Sequence, residues 1–124
     1  MTEEIKSFIQ KDETAKRMVE YAEKLAIDIC RDVSTSQIRN AYGTVKKLEM
    51  QSVFDNKAYR ELLLLKPKLA YARGRSSKKE TFEKLEKALS AAIDAVDVKE
   101  PETFKRFCNF FEAILAYHKA HGGK

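Results

Sequence analysis

The sequence predicts an all-α protein, a single compact bundle of about five helices over residues 1–124. Apolar residues recur at spacings of three and four almost throughout, which is the period of a helix buried along one face. Only four glycines and two prolines punctuate the chain. Alternation of apolar and polar residues, the mark of a half-buried strand, is nearly absent. Hydrophobic residues at 44% and charged residues at 35% suffice for a folded core and exclude the composition of a disordered chain.

Residues 1–13 read as a short helix or a frayed lead-in. The first long helix is expected near Thr14–Arg31, with Met18, Ala22, Leu25 and Ile29 as its apolar stripe and Glu20/Lys24 as an i,i+4 pair outside. Ser34 followed by Gln37 forms a capping box, so a second helix starts there and runs to about Gln51. Its buried side is Ile38, Ala41, Tyr42, Val45 and Leu48. Asp55 or Asn56 caps a third helix that reaches about Arg73 around Leu62, Leu65 and Leu69. Pro67 lies inside it, and a proline removes one backbone bond and clashes with the preceding turn, so a kink or restart is expected near Leu65–Pro67. Gly74 suits a left-handed C-terminal cap.

Ser77 followed by Glu80 reads as a second capping box, opening a fourth helix with Phe82, Leu85, Leu89, Ala92, Ile93 and Val96 on one face. Asp97–Glu100 is a turn, and Pro101 fits the first turn of the last helix, near Glu102–Ala120. That helix carries Phe104, Phe107, Cys108, Phe111, Ile114 and Leu115 in one wide stripe, as a central helix or one that also meets another subunit would. Gly122 and Gly123 end it.

Several function classes are excluded. No uncharged apolar run approaches the length a bilayer needs, so no membrane partner is expected. The opening MTEEIKSFIQKDE is acidic and lacks an apolar signal region, which points to the cytoplasm. Cys30 and Cys108 stand far apart and read as reduced, buried thiols. His118 and His121 are at i,i+3, but no third metal ligand accompanies them, so they read as surface or interface histidines and no metal is expected. No P-loop, dinucleotide fingerprint or nucleophile motif occurs. The expectation is a non-enzyme without a cofactor.

One segment stands above background. KPKLAYARGRSSKK, Lys66–Lys79, holds six bases and no acid, and without them the formal charge of +5 falls to −1. Lys66 and Arg73 are seven apart and share a stripe, and Lys68 and Arg75 share a second. Lys78 and Lys79 join them beyond Gly74, with the hydroxyls of Ser76 and Ser77 and the free N–H groups of the next helix beside them. Solvated stems covering apolar surface would explain such a run. The absence of interspersed acids favours a phosphate-binding surface. On the second helix, Arg39, Lys46 and Lys47 lie on or beside the side marked by Gly43. A glycine there admits a close backbone, or is simply tolerated where the helix packs tightly.

STSQIRN at Ser34–Asn40, LAYARGR at Leu69–Arg75 and RFCNFFEAILAYHKAHGGK from Arg106 onward resemble, in order and spacing, the small helical subunit of the type III-A CRISPR effector, the Csm complex. The resemblance covers Ser34–Lys124. It implies an all-helical, non-catalytic, RNA-binding subunit, stacked with further copies of itself opposite the backbone subunits. It also implies Lys and Arg contacts to the backbone of the guide RNA and target RNA, with cleavage by another subunit, in antiviral defence. Carried over by residue, it favours Arg39, Arg75, Arg106 and Lys119. Lys46, Lys47, Lys66, Lys68, Arg73, Lys78 and Lys79 rest on charge placement alone. The wide aromatic face also suggests a homodimer or helix exchange when the subunit is isolated. The competing reading is a helical protein-interaction adaptor whose basic surface is incidental.

Overall fold

A computed structural model describes residues 2–124. Seven α-helices follow one another: α1 Thr2–Gln10, α2 Ala15–Ile29, α3 Thr35–Glu49, α4 Asn56–Leu63, α5 Leu65–Arg75, α6 Lys79–Asp94 and α7 Pro101–Ala120. A single 3-10 turn, Asp12–Thr14, joins α1 to α2, and no strand occurs among the described residues. The all-α expectation holds. The helix number exceeds five for two reasons. Residues 2–10 form a full helix, because Ile5, Phe8 and Ile9 sit on one face and are all buried. The third predicted helix divides at Leu64, and Pro67 then falls in the first turn of α5, where a missing N–H costs little.

The Ser34 box forms as read: the Gln37 N–H donates to Ser34 Oγ at 3.1 Å and the Ser34 N–H donates to Gln37 Oε1 at 2.9 Å. Asp55 caps α4 by accepting from the Ala58 N–H at 2.9 Å. Two local expectations fail between α5 and α6. Gly74 stays inside α5, and Gly122 is the glycine with positive φ among the described residues. Ser77 caps nothing, since α6 begins at Lys79 without a side-chain cap. The neighbouring Ser76 ends α5 and turns the chain toward α6. Its extended backbone ends α5, its N–H donates to Arg73 O at 3.0 Å, and its buried Oγ accepts from the Lys78 N–H at 3.0 Å. A serine able to bond its own neighbourhood stops a helix without the left-handed residue a glycine supplies. Ser34→Ala should therefore lower stability by about 1 kcal/mol while Ser77→Ala leaves the thermal midpoint unchanged, as read by circular dichroism melts.

The core is built around α7, which packs against α1, α2, α3 and α6. Phe107, Phe110 and Phe111 are fully buried. Phe54, Phe104, Phe107, Phe111 and Tyr42 form a chain of ring contacts, opened by the Phe54–Phe104 stack at 4.2 Å. On the other flank Phe8 contacts Tyr21 and Phe110 at 5.5 and 5.8 Å. The aromatic face is therefore internal, which removes the reason for expecting a homodimer through it.

His118 departs most from expectation. It is fully buried rather than at the surface, and its Nε2–H donates to the Val33 carbonyl in the α2–α3 turn at 2.6 Å. Nδ1 then has no partner among the described residues. Beyond it the chain makes a Schellman turn: Gly122 takes φ 91°, its N–H reaches Lys119 O at 3.1 Å, and the Gly123 N–H reaches His118 O at 2.9 Å. This folds Gly123 over the imidazole so closely that a Cβ there would overlap the ring. Cys30, expected buried, is half-buried, whereas Cys108 lies in the core. Burial, with Glu49 nearby, pushes the Cys108 thiol up to about 12, which keeps it protonated and inert.

Candidate nucleic-acid interface

Helices α3 and α5 pack against each other and leave a groove of about 440 Å³ between them. Its floor is apolar, made by Ala41, Leu65, Leu69, Ala72 and Phe82. Gln37, Asn40 and Thr44 of α3 form one wall, and Lys68, Tyr71 and Arg75 of α5 form the other. No carboxylate lines it. Toward α4 the groove continues into a depression of about 250 Å³ that shares Thr44 and Lys68 and adds Lys47, Gln51, Lys57 and Glu61. Four cations thus line one continuous track against a single acid.

The helical period explains why these side chains converge. On α5 the line Leu65–Leu69 faces the core. Lys68 and Arg75 fall on one side of that line and Lys66 and Arg73 on the other. The first stripe lines the groove. The second faces α6, where Lys66 Nζ meets Asp94 at 2.6 Å and Arg73 meets Glu86 at 2.8 Å. The pairs run in opposite chain directions, so they clip α5 antiparallel to α6. The two stripes predicted from spacing exist, and they do different things.

The remaining predicted residues disperse. Lys47 joins the track, whereas Lys46 pairs with Glu49 at 3.2 Å. Arg39 and Lys46 fall on the far side of α3 from Gln37 and Thr44, with Gly43 between them, exposed and with nothing in reach of a Cβ. No close backbone approach within the chain uses that glycine. Lys78 and Lys79 lie at the α5–α6 turn, where Lys79 Nζ donates to Ser76 O at 3.0 Å. Lys119 is exposed in the last turn of α7. Arg106 is committed inward: Nε bonds Asp12 at 2.6 Å, a second nitrogen donates to Ile9 O at 3.0 Å, and only 18% of the side chain is exposed. The guanidinium holds the Asp12 carboxyl below the usual carboxylate range.

Arg39, Lys47, Lys57, Lys68, Arg75, Lys78 and Lys119 have no carboxylate partner within 4 Å among the described residues. Lys57 was missed by sequence reasoning. It sits on α4 while Lys68 sits on α5, so the two meet across the break at Leu64, and the available signal was a third lysine just after the Asp55 cap. Among the described residues no group of three His, Cys, Asp or Glu side chains is placed to hold a metal, and no helix is long and apolar enough to cross a membrane.

The family described as Csm2 Type III-A matches residues 12–124. A curated protein of Streptococcus thermophilus, described as "CRISPR system Cms protein Csm2", is 30% identical over 101 aligned residues, covering 74% of this chain and 75% of that protein. No solved structure matches significantly.

Proposed function

This chain belongs to the Csm2 family of type III-A CRISPR systems, and from that premise we propose that it is a non-catalytic structural subunit that holds RNA along the α3–α5 groove. The observation that carries the reading is the track of Lys47, Lys57, Lys68 and Arg75, four cations with no carboxylate partner along one groove. Long flexible cations beside amides and hydroxyls suit the sugar-phosphate backbone, and they carry no means of choosing a base sequence by themselves. Guide RNA and target RNA supply specificity through pairing, and this subunit supplies charge and shape in the cytoplasm. Neither histidine nor the Cys108 thiol lines the track. His118 is inside the core, His121 pairs with Glu23 at 2.9 Å, and the Cys108 thiol is protonated. In this reading cleavage belongs to another subunit of the complex. Met50, Val53, Leu63 and Leu64, left exposed near the α3–α4 and α4–α5 junctions, are the surface offered to other subunits and further copies.

A salt titration tests the reading. Affinity for single-stranded RNA should fall with log salt at a slope of about 0.7 per phosphate contacted. Arg75→Ala should lower affinity equally for unrelated sequences and reduce the slope by about one contact's worth. Salt-independent binding, or an Arg75→Ala protein that binds as the parent does, would sink the groove.

A further inference from the structure

Resting on that reading of the groove, we infer that its α5 wall is also a stacking platform for one unpaired nucleobase of the bound strand, with Tyr71 as the platform. Tyr71 is 67% exposed, while every other aromatic side chain is buried or half-buried. A chain that buries or half-buries eleven of its twelve aromatic residues leaves this one open at the rim of a basic groove. The Arg75 guanidinium lies 5.7 Å from the Tyr71 ring centre. The guanidinium lies over one face of the ring as a cation–π contact, which leaves the other face as the flat surface on which a base stacks, and Lys68 one turn earlier is placed for the adjoining phosphate.

The space behind the platform fits the same ligand. At about 440 Å³ the groove admits a ribose and base, and its apolar floor at Leu69 takes the edge of a ring. Across it, the Asn40 amide and Thr44 hydroxyl make no hydrogen bond among the described residues, so both are available to a base edge. Paired bases present no face to such a slot, so the ligand is a base splayed out of a strand or lying beyond the end of a duplex. A peptide segment would want carboxylates or apolar anchors here, and the cationic rim favours a polyanion.

The full-length chain can be tested against a short single-stranded RNA and an abasic strand of equal length and charge. The parent should bind the base-bearing strand about tenfold more tightly, and a 2-aminopurine within it should be quenched on binding. Tyr71→Ala, a change at an exposed site, should bring the base-bearing strand down to the abasic level, and Tyr71→Phe should keep the preference. Lys68→Ala should weaken both strands alike. Equal affinity of the parent for both strands, or a preference that survives in Tyr71→Ala, overturns the platform and leaves phosphate binding standing. Binding to neither strand overturns both.

Discussion

Replacing Phe111 by alanine should lower the unfolding free energy by about 3–5 kcal/mol and the thermal midpoint by about 10–20 °C. Phe111 is fully buried, lies 5.3 Å from Tyr42 of α3 and 6.2 Å from Phe107 of its own helix, and belongs to the helix that packs against four others. Truncation removes the buried ring and leaves a cavity, because helices held from several sides cannot all move in to fill it. Calorimetry or a circular dichroism melt reads the effect, and Phe111→Leu should lose less than half as much. A midpoint that moves by only a degree or two would mean that α7 is not the centre of the bundle.

Changing Lys47, Lys68 and Arg75 together to alanine should weaken RNA binding about a hundredfold, on about 1 kcal/mol for each exposed phosphate contact. The salt slope should fall by about two. All three side chains line the track. Lys66, Arg73 and Arg106 serve as the control, since each is engaged with a carboxylate of its own chain. Replacing those three should leave affinity within about threefold while lowering stability modestly, as expected of partly exposed pairs. The opposite pattern would show that sequence-level charge density, rather than the fold's sorting of it, locates the RNA.

That sorting marks how far the sequence could be read. Periodicity placed the long helices correctly because each buries one unambiguous stripe, as Met18, Ala22, Leu25 and Ile29 do on α2. It also separated the Lys66/Arg73 stripe from Lys68/Arg75. It could not say which stripe meets α6, because that depends on Glu86 and Asp94, residues brought alongside only when the helices pair. The Ser34 cap was legible because its box has two reciprocal members. The Ser77 cap failed because α6 begins one residue later than the box requires, at Lys79 with Lys78 in the cap position, while Ser76 turns the chain by accepting from the Lys78 N–H. Sequence offered no basis for choosing between adjacent serines. His118 was misplaced for a similar reason. Nothing local announces that a histidine in a C-terminal turn will meet the Val33 carbonyl, 85 positions away. Arg106 looked like a surface cation until Asp12 and Ile9 O appeared beside it, 94 and 97 positions distant.

Helix α1 bears on where this protein can be cut. The stretch shared with its family begins at residue 12. Yet Ile5, Phe8 and Ile9 lie in the core, Phe8 rests on Tyr21 and Phe110, and the Ile9 carbonyl receives Arg106. Trimming a chain to the part its relatives have in common is a routine way to define an expressible fragment. Here it would strip three side chains from the interior, uncover the rings they shield and leave Arg106 with half of its anchorage. The portion that a common ancestry makes recognisable and the portion that folds end at different places.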